Sequence, residues 1–214
     1  WKQSPIGRLF SFISGGTPSK DKDEYWLEGS IPWISPKDMK SLFIVNSIDH
    51  ITDKALEESK LKVISPNSIL IVVRGMILAK NVPVAIAKTP LTINQDMKAM
   101  IPLQTFSIHY LALLLSNSGD ILKRFIEESA HGTKCLRTDL LKKIELPIPP
   151  LNEQDEIANF VFEQSKIIDN SISHCEREIA LMQEYRARLI ADVVTGQRDA
   201  RGVAVPDVAA EAAE

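Results

Sequence analysis

The apolar positions of this chain change rhythm once, near residue 150. Before that point they come in short runs, separated by turn-forming stretches at residues 14–18, 31–36, 63–68 and 81–83. Runs punctuated in this way by Gly, Pro, Ser and Asn predict strands. Residues 69–73 form an unbroken apolar, mostly β-branched run between Pro66-Asn67-Ser68 and Arg74-Gly75, which predicts a strand buried on both faces. Residues 84–87 and 97–101 predict two further strands. From 107 to 127 the spacing lengthens: Ile108, Leu111, Leu115, Ile121, Leu122, Phe125 and Ile126 fit a helix pair interrupted near residues 117–120. The expected fold of residues 1–150 is therefore α+β, a globular domain with a mixed or antiparallel sheet.

From residue 152 to about 195 the chain contains neither Pro nor Gly, and a heptad pattern replaces the short runs. Val161, Ile168, Cys175, Met182 and Leu189 recur at seven-residue intervals, and Ile172, Ile179, Arg186 and Val193 fill the companion row. Only Arg186 is charged. One helix of this length extends about 65 Å at 1.5 Å per residue, too far to bury against one small domain. It is expected to form a coiled coil with a partner helix. Thr195-Gly196 marks its end, and residues 196–214, rich in Ala, Glu and Val, are expected to be a disordered tail. The organisation predicted is a domain over 1–150, a spacer helix over 151–195 and a tail.

Charge changes this picture by dividing it. The net charge is −3 over 214 residues, but residues 1–150 hold 19 Lys and Arg against 15 Asp and Glu, and the rest hold 6 against 13. The first part could meet phosphate and the second should not. The apolar runs at 69–73 and 111–115 fall far short of the roughly 20 residues that a membrane span needs, so no membrane partner is expected. Cys135 and Cys175 are far apart with no CxxC or Cys/His cluster, which indicates neither a disulfide framework nor a zinc site and fits a reducing cytoplasm. Because the chain opens at Trp1, it is expected to be cut from a longer protein.

Several stretches, in order, resemble the specificity subunit of type I restriction-modification systems. They are Ser14-Gly15-Gly16-Thr17-Pro18-Ser19, then Ile31-Pro32-Trp33-Ile34-Ser35 with Asp38, then Asn94-Gln95. The most specific is Leu146-Pro147-Ile148-Pro149-Pro150-Leu151-Asn152-Glu153-Gln154 with Ile157, which looks like the family's junction between recognition domain and spacer helix. Glu184-Tyr185-Arg186, Leu189-Ile190 and Val194-Thr195-Gly196 resemble the helix's distal end, so the likeness spans nearly all of residues 5–200. One domain and one helix, where the family has two of each, look like a C-terminal half. The resemblance implies a target recognition domain that reads one part of a split, asymmetric site in double-stranded DNA. It also implies a helix that pairs with a second recognition half, or with a second copy, to set the spacing. Methylation subunits carrying S-adenosylmethionine would dock on this scaffold, and a separate restriction subunit would cut DNA. No cofactor is expected in this chain itself.

Each candidate residue carries two readings. The loop Gly15-Gly16-Thr17-Pro18-Ser19 lacks the GxxxxGK[ST] and GxGxxG spacings, so it is either a tight turn or a place from which Thr17, Ser19, Lys20 and Lys22 reach phosphates. Arg74 leaves the end of a strand before Gly75, where its fork of donors could meet guanine N7 and O6; otherwise it is a surface or ion-paired arginine. Asn94-Gln95 could pair with adenine through Gln95, or shape a turn. His131-Gly132-Thr133-Lys134 with Arg137, followed by Lys142 and Lys143, reads as a basic loop suited to groove contact or as a solvated surface, and Lys134 and Arg137 are its foremost candidates.

Asn152 is read as the N-cap of the long helix, with Glu153 suiting its dipole. His50, His109, His131 and His174 are scattered singly, and no adenine-flipping NPPY or DPPF motif, S-adenosylmethionine fingerprint or PD…ExK nuclease pattern is present. The chain is therefore expected to be non-catalytic. Two rivals remain: the specificity end of a fused restriction-methyltransferase, and a coiled-coil interaction protein that reads no DNA.

Overall fold

A computed structural model describes residues 1–128 and 132–202. The expected disorder of the tail lies, from residue 203 onward, outside the described residues, as does His131. The strands are β1 (Lys2–Pro5), β2 (Phe10–Ser14), β3 (Ile31–Ile34), β4 (Phe43–Ile44), β5 (Asp49–Ile51), β6 (Ile69–Val72), β7 (Val84–Ala87), β8 (Thr92–Ile93), β9 (Met97–Pro102), β10 (Ile126–Glu128), β11 (Lys134–Leu136) and β12 (Glu145–Ile148). The helices are α1 (Ile6–Leu9), α2 (Asp53–Glu58), α3 (Ile108–Asn117), α4 (Gly119–Lys123), α5 (Thr138–Leu141) and α6 (Leu151–Val194). The chain divides into two compact units, Trp1–Phe160 and Val161–Glu214.

In the first unit β6 is the middle strand of a five-stranded sheet ordered β2-β9-β6-β7-β4, antiparallel except at the β7–β4 edge. All four β6 residues are fully buried, and so are Ala85, Ile86 and Ala87 of β7, with Val84 buried nearly as well. Covered faces explain why these strands read as unbroken apolar runs. A smaller sheet, β5-β3-β8, carries its own cluster of Tyr25, Trp33, Ile51 and Ala55, with Trp26 edge-on to Trp33 at 5.2 Å. The chain crosses from β8 of the small sheet to β9 of the large one through residues 94–96 alone. The observed class is thus the α+β arrangement that the apolar rhythm predicts, with mixed strand pairing and one long helix.

The helix pair breaks at Ser118, inside the predicted interval, but it does not run on to Ile126. Ile126–Glu128 is instead strand β10, paired antiparallel with β11 so that Ile126 faces Leu136. A partner ten residues away overrides local helical spacing, which cannot register it. The basic stretch read as a loop is accordingly part of a hairpin, with Lys134 on β11 and Arg137 just before α5.

The first and last strands of this unit are neighbours, with Lys2 opposite Ile148 and Pro5 opposite Glu145. The helix α6 begins one residue before Asn152: its first backbone bond runs from the Gln154 N–H to the Pro150 carbonyl, at 3.0 Å. Asn152 therefore lies within the first turn and is not the cap. Pro150 suits the preceding position because the N–H it lacks is one that a helix start leaves unused. Gln154 is buried, yet its amide is satisfied: Nε2 donates to the Pro149 carbonyl at 2.9 Å and Oε1 accepts from the Ser107 N–H at 3.0 Å. That one side chain ties the start of α3 to the start of α6. The α6 helix runs 44 residues, about 66 Å, and Gly196 adopts φ +76° just past its end.

In the second unit the heptad residues stay open. Ile168, Ile172, Ile179 and Met182 are 58%, 50%, 58% and 71% exposed, Cys175 is exposed, and Val161 and Leu189 are half-buried. Val193, near the helix end, is 36% exposed.

Candidate nucleic-acid interface

Strand register gathers one set of candidates at one end of the large sheet. Ser14 closes β2, Val72 closes β6 and Met97 opens β9, with Ser14 and Ile71 both opposite Lys98 and Val72 opposite Met97. The Gly15-Gly16 turn presses against the end of β8: a Cβ on Gly15 would stand 2.1 Å from the carbonyl oxygens of Ile93 and Asn94. Only glycine permits that approach. The Gly16 N–H donates to the Ile93 carbonyl at 3.0 Å, and the Gly16 carbonyl accepts from Trp33 Nε1 at 2.9 Å.

This close approach brings the Thr17 hydroxyl into a hydrogen bond with Gln95 Oε1. Of the amide pair, Asn94 is buried and spent on the turn, its Oδ1 accepting from the Asp96 N–H at 3.0 Å and its Nδ2 donating to Asp96 Oδ2 at 3.2 Å. Gln95 is exposed. The Asp96 carbonyl in turn accepts from the N–H groups of Val73 and Arg74, at 2.8 and 3.1 Å, and Arg74 bridges to Cys135 of β11. Thr17, Gln95 and Arg74, distant in sequence, therefore surround one turn.

The remaining candidates are placed differently. Ser19 is exposed and its carbonyl accepts from Trp26 Nε1 at 3.0 Å, while Lys20 lines a shallow hollow with Trp26, Trp33 and Asp49. Lys22 donates to the Tyr25 hydroxyl at 2.7 Å and lies 3.4 Å from Glu58, and those bonds raise its pKa. Lys134 is ion-paired with Glu128. Arg137 clasps Asp139 with two bonds, Nε to Oδ1 at 3.1 Å and Nη2 to Oδ2 at 2.7 Å, which hold the Asp139 carboxyl below its usual range, and it also lies 3.6 Å from Glu127. Of the leading candidates of the basic stretch, Lys134 thus carries one carboxylate and Arg137 two. Such exposed pairs contribute little in water, so a phosphate can compete for the cations.

Sequence reasoning passed over Lys98. It is half-buried on β9, its ammonium donates to the Ser14 hydroxyl, and the charged groups acting on it are Lys142 and Arg74. Burial first, then those two cations, lower its pKa; Cys135 pulls weakly the other way. Lys142 lies over the Phe12 ring at 5.2 Å from its centroid. The sequence signal that could have found this group is the single charged residue inside the otherwise apolar run Met97–Pro102. Among the described residues no group of three or more His, Cys, Asp and Glu could hold a metal, and no helix is long and apolar enough to cross a membrane.

Comparisons with known proteins fall on one family. A family model described as the type I restriction modification DNA specificity domain matches residues 1–177. The EcoR124I/EcoR124II specificity subunit of Escherichia coli is 39% identical over 185 residues, which are 86% of this chain and 45% of that protein. The MjaIX specificity subunit of Methanocaldococcus jannaschii is 32% identical over 175 residues, 79% of this chain and 39% of that one. Among solved structures, the S subunit of a type I restriction-modification system from M. genitalium shares the fold with a TM-score of 0.57 at 19% identity, over 89% of this chain and 46% of that one. A chain from a structure of type I restriction-modification complex assembly gives 0.64 at 21%, over 88% and 43%. The chain spans less than half the length of these relatives.

Proposed function

We infer the function from one premise: the chain belongs to the type I restriction modification DNA specificity family. The reading is that it is one DNA-recognition half of a specificity subunit, reading one part of a bipartite site in duplex DNA without catalysing anything itself. The observation that carries it is the meeting of Thr17, Gln95 and Arg74 around one exposed turn, with cations beside them. A hydroxyl and an amide on fixed backbone are groups that pair with base edges, a guanidinium can meet a base edge or a phosphate, and neighbouring cations supply the salt-sensitive grip on phosphate. Ser19, Lys20, Lys22, Lys134 and Arg137 would make outer backbone contacts.

The helix supplies geometry in this reading. Its apolar row of Val161, Ile168, Ile172, Cys175, Ile179, Met182, Leu189 and Val193, exposed except at the half-buried Val161 and Leu189, pairs with the same kind of row on a second recognition half or a second copy. Methylation subunits, which bring S-adenosylmethionine, dock on the paired scaffold, and a restriction subunit completes the complex in the cytoplasm.

Selection from a random duplex pool, at two salt concentrations and with purified methylation subunits added, tests the reading. Enrichment of one short sequence, weakened by salt, is the expected result. Binding without enrichment, or binding indifferent to salt, would overturn it.

A further inference from the structure

Two groups stand apart among the cations of the first unit. Lys22, Lys37, Lys54, Lys134 and Arg137 each have a carboxylate within 4.0 Å. Arg74, Lys98 and Lys142 have no such partner among the described residues, and the first and last both act on Lys98. Their backbones are pinned. Arg74 is bridged to Cys135 and bonded to the Asp96 carbonyl, Lys98 sits in register between Ser14 and Ile71, and the Lys142 carbonyl accepts from the Gly7 N–H at 2.9 Å. Strand register also puts Phe12, Ser14 and Lys98 on one face, because opposed residues of antiparallel strands share a face and the pair Phe12–Met100 lies two residues from Ser14–Lys98. Lys142 stands over that face, above Phe12.

Two like charges acting on a third, half-buried one without a counter-charge cost stability. Lys98 bears the cost most directly, since burial and its two neighbours all disfavour its charged form. Folding alone gives no reason for the grouping: a neutral residue at position 98 would fill the same strand site at lower cost. An anion brought to the face removes the repulsion, and the ligand of the proposed function is a polyanion. We propose that Lys98, Arg74 and Lys142, with the Ser14 hydroxyl, form a phosphate anchor that grips the DNA backbone whatever its sequence. Base reading is left to Gln95 and Thr17 on the adjoining turn. The inference rests on the DNA-reading function but can fail separately from it.

The test uses the full chain, Lys98→Met, Arg74→Gln and Lys142→Gln singly and together, and Lys62→Gln as a control. A fluorescent mixed-sequence duplex is titrated over a salt series, and thermal unfolding is followed with inorganic phosphate or chloride at matched ionic strength. Each anchor variant is expected to reduce the slope of log affinity against log salt by about one, and the triple variant by about three, while the control does not. Phosphate is expected to raise the unfolding temperature of the wild type more than chloride does, and Lys98→Met to lose that gain without unfolding at lower temperature in chloride. If Lys98→Met fails to fold, Arg74→Gln and Lys142→Gln decide the matter, both side chains being exposed.

Where the wild type binds duplex, unchanged slopes overturn the anchor and leave DNA reading standing. Where it does not bind, the phosphate arm decides: stabilisation that depends on these cations upholds an anion site and sinks the DNA reading, and its absence overturns the anchor as well.

Discussion

Isoleucine meets opposite fates in the two units. In the first, Ile69, Ile71 and Ile86 are fully buried, each on a strand flanked by two others. In the second, Ile168, Ile172 and Ile179 are at least half exposed on a helix of good heptad pattern. A sheet brings residues from distant parts of the chain to both sides of each side chain, whereas a lone helix offers only neighbours three and four residues away. The first unit contains its own core. The second has an apolar row that the described residues leave largely exposed.

The largest effect is expected where that difference is attacked directly. Ile172→Glu with Ile179→Glu places two charges in the seam and should weaken self-association, or pairing with a second recognition half, by about 4 kcal/mol, roughly a thousandfold. Sedimentation velocity against concentration reads this, and the urea midpoint of the first unit should not move. An unchanged association constant would mean the row is not the contact.

Next, Leu70→Ala empties a fully buried site on β6 and should cost about 3 kcal/mol in urea unfolding with the helix's association intact. Loss of both together would break the comparison, since the units would then unfold as one. Gln154→Leu should cost about 2 kcal/mol, because it strands the Ser107 N–H and the Pro149 carbonyl in a buried place. The smallest change is Lys134→Gln: its exposed pair with Glu128 should be worth at most about 1 kcal/mol in the same denaturation experiment, less in high salt.

Legibility followed the range of the interactions involved. The strands Ile69–Val72 and Val84–Ala87 were readable because burial on both faces demands apolar residues at every position. Ile126 was misread because its strand identity comes from Leu136 across a hairpin. Lys134 and Arg137 stood out as a basic run, yet Glu127, Glu128 and Asp139, close by in sequence, supply their partners once the hairpin folds. Lys98 is marked locally only as the one charged residue of the run Met97–Pro102, and that pattern does not tell that two other cations act on it.

What the sequence alone determined is what periodicity and backbone chemistry dictate: short strands before residue 150, one helix without Pro or Gly after it, and an apolar heptad seam along that helix. Motif order added the family. Only the tertiary structure decided which charges stand together, because strand register sets Ser14 beside Lys98 and a carbonyl of the residue 94–96 turn holds Arg74 nearby. Charge–charge energies depend on distance in space, and distance in space between remote residues is the one quantity that a linear pattern does not carry.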